Sequence, residues 1–271
     1  MARRIFDVTK IDVDKFFRAI SLMTDISKIR LFDEGTPQKE ISVYLKINNY
    51  DLALIQKKDN AIGYLLSADI TKEDGPIIDA NIRSISPDEK IDYNVKIDDV
   101  INKFNDYRYL FVYDKNNFAG IITYADLNRR PIHVFCYIAI SEFEKLLRKF
   151  VLKKFNDDSW LNKLSDTNQR EIGGIYISEK AKGVERSLLE CTTLTQLKEI
   201  IASKGEWFQS LGYSSKDEFN SKIKKINDRR NSIMHGRNLI LNVDGGKELF
   251  DFIYELGEQM GNINAWLNKN V

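Results

Sequence analysis

The sequence predicts an α+β chain in two parts: short strands and helices used twice in the first half, then a helical bundle. Three observations carry this. The stretch from Leu52 to Ile70 recurs without a gap from Tyr109 to Leu127, and a fixed self-similarity of this kind marks a repeated structural unit. From Pro131 onward the apolar residues switch to helical spacing. The chemistry concentrates in one run, Arg230-Asn231-Ser232-Ile233-Met234-His235-Gly236.

A chain of 271 residues is long enough for two domains, each burying its own core, and the change of pattern places them at 1–130 and 131–271. Hydrophobic residues at 43% and charged residues at 30%, with 4 Pro and 14 Gly, describe a folded chain rather than a disordered one. The net charge of +1 gives no whole-chain attraction to nucleic acid, so RNA contact would have to come from local patches. Lys145, Arg148, Lys149, Lys153 and Lys154 form one, and Lys222, Lys224, Lys225, Arg229 and Arg230 another. Both also fit solvated helix faces. Cys136 and Cys191 lack CxxC spacing, which argues against a disulfide framework or a metal site and fits a reducing cytoplasm. Met1 to Phe17 holds no apolar core of a signal peptide. The longest apolar run, Ile132 to Ile140, is too short for a bilayer. A soluble, cytoplasmic protein with no membrane contact is expected.

In the repeat, Leu52-Ala53-Leu54-Ile55 matches Tyr109-Leu110-Phe111-Val112, and the turn Lys57-Lys58-Asp59-Asn60 matches Asp114-Lys115-Asn116-Asn117. Ile62 through Ile70 matches Ala119 through Leu127. Each copy reads as strand, polar turn, strand and a helix starting at the Asp, preceded by a helix over Gln38 to Asn48 or Ile97 to Asn105. The closing pattern Gly120-Ile121-Ile122-Thr123-Tyr124-Ala125-Asp126 resembles that of the CBS domain. Met23-Thr24-Asp25-Ile26 and Ile85-Ser86-Pro87-Asp88 look like the openings of the two copies, aligned with a gap. The resemblance covers roughly residues 20 to 130 and implies a CBS pair, two β-α units with short sheets, that binds an adenine nucleotide as a regulatory ligand. Chemically, the Asp126 carboxylate can accept from both ribose hydroxyls, while the Thr123 hydroxyl and backbone N–H groups can meet phosphate. Gly120, Thr123, Asp126 and Asp69 are the candidate ligand residues. The first copy has Leu66 in place of Thr123, so one working site is expected, not two. Asp69 and Asp126 fit equally well as helix caps.

The second half suggests four principal helices. One follows Pro131, with Phe135, Ile138, Phe143, Leu146, Leu147, Phe150 and Val151 largely on one face. Others span Ser187 to Ser203, Lys216 to His235 and Gly246 to Leu267. The connection from the repeat is short, Asn128 to Arg130. Glu144 and Arg148 are spaced for an intrahelical ion pair, and His133 reads as structural.

His235 is one of two histidines, so an imidazole acting near neutral pH has few candidates. Gly236 stands where a helix C-terminal glycine would. Metal-free RNA cleavage needs a proton acceptor for the 2′-hydroxyl, a cation for the pentavalent phosphate and a proton for the leaving oxygen, tasks that Arg and His suit. Residues five apart lie about 140° apart on a helix, so two copies across a two-fold axis would have to complete the site. The spacing from Arg230 to His235, with Asn231 after the Arg, resembles the motif of HEPN domains, and Glu142 to Arg148 is similar to their first helix. This resemblance covers about residues 131 to 270. It implies an all-α HEPN bundle acting as a homodimeric, metal-independent endoribonuclease with an RNA substrate and a 2′,3′-cyclic phosphate product. Arg230 and His235 would be catalytic, Asn231 would orient or bind phosphate, and no cofactor would be needed for catalysis. Stress response or antiphage defence, with a neutralising partner for a toxin, would be its setting. The same residues also fit helix capping or pairing with Asp228 and Glu248, in a non-catalytic nucleotide sensor whose helical half dimerises or holds a partner.

Overall fold

The computed structural model describes residues 16–58, 61–70, 81–240 and 245–269. The stretch before Phe16 and the turn residues Asp59 and Asn60 therefore lie outside the described residues. Two compact units part between Pro131 and Ile132.

In the first unit the repeat becomes two similar sets of elements. The first holds β1 (Thr24–Asp25), β2 (Leu31–Asp33), α1 (Gln38–Asn48), β3 (Leu52–Gln56) and β4 (Ile62–Leu66). The second holds β5 (Arg83–Ser84), β6 (Lys90–Asp92), α2 (Ile97–Lys103), β7 (Tyr109–Asp114) and β8 (Asn117–Thr123). Helix α1 has the bounds read from sequence, and it stops because Asn49 takes the left-handed conformation at φ 54°, which Asn tolerates. The helix expected to start at each Asp is instead a short 3-10 turn, Ser67–Asp69 in the first copy and Tyr124–Asn128 in the second.

The sheets have the orders β2-β3-β4-β5 and β1-β8-β7-β6. Each is thus completed by the opening strand of the other copy: β5 pairs with β4 and β1 with β8, both antiparallel. The repeat glycines permit this. A Cβ on Gly120 would lie 2.3 Å from the Thr24 carbonyl oxygen, and one on Gly63 would lie 2.6 Å from Ile82 Cγ2 and 2.9 Å from the Arg83 carbonyl oxygen.

Alternation along β3 and β4 builds two cores. Ala53, Ile55 and Leu65 join Phe32, Ile41, Leu45 and Ile82 in one cluster. Leu54 and Tyr64 turn the other way and join Ile85, Phe111 and Ile121. Leu54 and Phe111 occupy the same repeat position, as do Tyr64 and Ile121, so this second cluster is made largely of equivalent residues from both copies. A strand buried on both faces needs a continuous apolar run, which is what Leu52 to Ile55 supplies.

The second unit is helical: α3 (Arg130–Phe155), α4 (Asp166–Ala181), α5 (Leu194–Ala202), α6 (Gly205–Ser210), α7 (Lys216–Met234) and α8 (Gly245–Lys269). Its core takes Ile132, Cys136, Ile140, Phe143, Leu147 and Phe150 from α3, Phe219, Ile223 and Ile226 from α7, and Leu249, Leu256 and Ile263 from α8, with Trp160 fully enclosed. Two sequence expectations are corrected. Ile138 is 47% exposed, because it lies two residues past Cys136 and hence about 200° round the helix. The helix expected from Ser187 begins only at Leu194, where Thr193 and Gln196 cap it reciprocally.

Candidate functional site

At the end of β8, Thr123 turns the chain into the short 3-10 turn that carries Asp126. The Asp126 side chain is 8% exposed. Its Oδ2 accepts from the Thr123 backbone N–H at 2.7 Å and from the Thr123 hydroxyl at 3.0 Å, and its Oδ1 pairs with Arg129 Nη2 at 2.7 Å. Burial raises the Asp126 pKa, while the Thr123 hydrogen bonds and the Arg129 charge pull it back. Arg129 also donates to the Met23 carbonyl oxygen at 2.8 Å and to Thr24 Oγ1 at 2.9 Å, tying the end of the second copy to β1. Gly120 lies beneath β1, paired with Asp25.

The first copy solves the same problem differently. Asp69 receives a two-pronged grip from Arg83, Nε to Oδ2 at 2.7 Å and Nη2 to Oδ1 at 3.0 Å. Arg83 stands on β5 opposite Tyr64. Tyr64 donates to Glu89 Oε1 at 2.9 Å, and burial together with that carboxylate pushes its phenol up to about 12. Each copy therefore presents an aspartate already held by an arginine.

In the helical unit, α7 ends in a Schellman motif. Gly236, at φ 60°, donates to the Ile233 carbonyl and Arg237 to that of Ser232, at 3.0 and 2.9 Å. His235 is the C-cap residue, exposed, with its backbone N–H on the Asn231 carbonyl. Asn231 is exposed one turn earlier. Arg230 points elsewhere, with its Nε 3.0 Å from Glu144 Oε1. Glu144 is buried on α3, and its Oε2 faces Arg148 Nη2 at 3.4 Å. Oε1 receives no aligned hydrogen bond despite the short ion-pair distance, so charge rather than hydrogen-bond geometry holds Arg230 there. Arg148 in turn donates to the Thr192 carbonyl at 2.8 Å.

The pairings expected of this motif are redistributed. Arg229, not Arg230, faces Glu248, at 3.6 Å, and Lys222 pairs with Glu255 at 2.7 Å. Much of the second basic patch is thus neutralised within the unit, while Lys224 and Lys225 are exposed. The His133 ring reaches the Arg237 carbonyl through Nε2 at 3.0 Å, which places the proton on that nitrogen. Cys136 is buried and its thiol is pushed up to about 12, so it is held as a thiol rather than a nucleophilic thiolate. Among the described residues no group of three His, Cys, Asp or Glu side chains could hold a metal, and no helix is long and apolar enough to cross a membrane.

Residues 80–132 match the family described as CBS domain. The chain carries a CBS domain. The matched span includes Gly120, Thr123, Asp126 and Arg129 and ends as α3 begins. No curated protein matches the chain. Among solved structures, it is similar to a hemolysin-like protein containing a CBS domain from Oenococcus oeni PSU, at 20% identity over 41% of this chain and 86% of that one, with a TM-score of 0.35. It is also similar to the CBS domains of a transcriptional regulator from Streptococcus pneumoniae, at 14% identity over 41% and 95%, with a TM-score of 0.36. A third such structure is CbpB from Streptococcus agalactiae, at 18% identity over 43% and 84%, with a TM-score of 0.34.

Two residues at the CBS candidate sites escaped the sequence reading. Arg129 carried a usable signal, since it follows Asp126 by three residues in a turn. Arg83 carried none, because only the exchange of opening strands brings β5 beside Asp69.

Proposed function

We propose that this protein is a nucleotide-responsive regulator whose second CBS copy takes an adenine nucleotide, and whose helical unit dimerises or holds a partner. The observation that carries the reading is the match over 80–132, which contains a buried carboxylate, Asp126, in a turn closed by Thr123. Such a carboxylate suits a ribose, and the Arg129 guanidinium paired with it suits phosphate. In the first copy Leu66 replaces the Thr and both oxygens of Asp69 are taken by Arg83, which favours one working site. Calorimetry with AMP and ATP is the test. Saturable heat with one site per chain is expected, and Asp126→Asn should weaken binding at least about tenfold, or roughly 1.4 kcal/mol. No heat with any adenine nucleotide well above micromolar concentration would refute the reading.

A second reading is favoured by the exposure of Asn231 and His235 on one face at the end of α7: the helical unit is a HEPN-type, metal-independent endoribonuclease acting as a homodimer. Incubation of bulk RNA in EDTA decides it. Cleavage by wild type should fall about a hundredfold or more in His235→Ala, the usual scale for loss of a general acid–base; equal cleavage by both proteins rejects the catalytic assignment.

A further inference from the structure

Asp126 has a free hand for a ligand only at Oδ1, because Oδ2 is committed to the Thr123 N–H and hydroxyl that close the turn. That oxygen is where Arg129 Nη2 sits. A vicinal diol approaching Asp126 therefore meets a cation already in place. A neutral diol supplies hydrogen bonds but no charge, and a buried carboxylate stripped of its counter-charge is costly. The exchange balances only when the incoming molecule also brings an anion for Arg129, so that both charges end paired.

We infer that Arg129 is the residue that makes this site select nucleotides over nucleosides, by holding Asp126 until a ligand offers a diol to the carboxylate and a phosphate to the guanidinium. This inference rests on the nucleotide reading above and adds the ligand requirement. The contrast with the first copy supports it. Arg83 grips Asp69 through both oxygens, at 2.7 and 3.0 Å, so a ligand would have to displace two charge-assisted bonds to reach that carboxylate. Arg129 follows a 3-10 turn rather than standing on a paired strand, reaches Asp126 Oδ1 through Nη2, and can turn toward a ligand at the cost of its bonds to the Met23 carbonyl and Thr24 Oγ1.

The same movement has a structural readout. Arg129 holds the Met23 carbonyl and Thr24 Oγ1, and its transfer to a phosphate gives up those bonds to β1. Amides of Thr24 and Asp25 should then exchange faster with AMP bound than without it, opposite to the protection a ligand usually confers.

The experiment is calorimetry on the full chain with AMP and adenosine, for wild type, Arg129→Met and Arg129→Lys. Wild type is expected to prefer AMP by roughly 30-fold, the scale of one charge-assisted phosphate contact. In Arg129→Met the preference should collapse to about threefold or less, with adenosine binding no weaker than in wild type; Arg129→Lys should fall between. An AMP preference unchanged in both variants overturns the role of Arg129 while leaving nucleotide binding intact. Absence of binding by wild type instead removes the nucleotide reading itself, and this inference with it.

Discussion

Gly120→Val is expected to destabilise the first unit by about 3 kcal/mol, a fall in its melting midpoint of roughly 9–18 °C for a unit of about 130 residues. The cause is contact with backbone rather than with a side chain. Even the first carbon would sit 2.3 Å from the Thr24 carbonyl oxygen and 3.3 Å from Asp25 Cα, and neither can swing aside as a rotamer would. Strand β1 must move off β8 or β8 must buckle. Gly35, with nothing within 4 Å of a built Cβ, is the control, and Gly35→Ala should be close to silent. Hydrogen exchange across β7 and β8 gives the measurement. Trp160, Trp207 and Trp266 are the chain's three tryptophans and all belong to the helical unit, so their fluorescence transition should not move. A shift in that signal alone would place the damage in the wrong unit.

Glu144→Ala should have the largest effect of any charge removal in the helical unit, about 3 kcal/mol on its unfolding in urea. The carboxylate stands between two guanidinium groups, and its loss leaves both without their counter-charge. The two do not weigh equally. The Arg148 side chain is 20% exposed and keeps its carbonyl partners at Leu189 and Thr192, whereas Arg230 is 37% exposed and recovers water. For that reason the figure stands at the lower end of the range for a broken buried pair, and Arg230→Met, which leaves Glu144 facing Arg148, should cost only about 1 kcal/mol. Tryptophan fluorescence during urea unfolding tests both. Equal costs for the two substitutions would mean that Glu144 matters to Arg230 alone.

What the sequence disclosed follows from which forces are local. The repeat placed β3, β4, β7 and β8 because each hairpin is a contiguous apolar pattern, and the span of α1 was legible because its end, where Asn49 turns left-handed, is a local event. Strands of two or three residues such as Thr24–Asp25 and Arg83–Ser84 are too short for any periodicity, and their partners lie in the other copy. Helix α4 was missed for another reason. It buries only Ile172 and carries Gly173 and Gly174 midway, so it has neither the stripe nor the propensity that announces a helix. At the candidate sites the residue types were legible but their partners were not. Arg230 was read beside His235, yet its charge is spent on Glu144, far away in sequence. Asp126 was read as an open acceptor or a cap, and it is instead a carboxylate shared between a turn and a guanidinium.

The exchange of opening strands bears on how the chain is made. Thr24 leaves the ribosome long before Ile121, its neighbour across β1 and β8, and among the described residues β1 has no other partner strand in the meantime. The first copy waits in the same way for Arg83 and Ser84. The first sheet can close once Ser84 has emerged, whereas the second waits for β8, so a ribosome paused before Ile121 would hold one complete sheet beside β1, β6 and β7 without the strand that joins them.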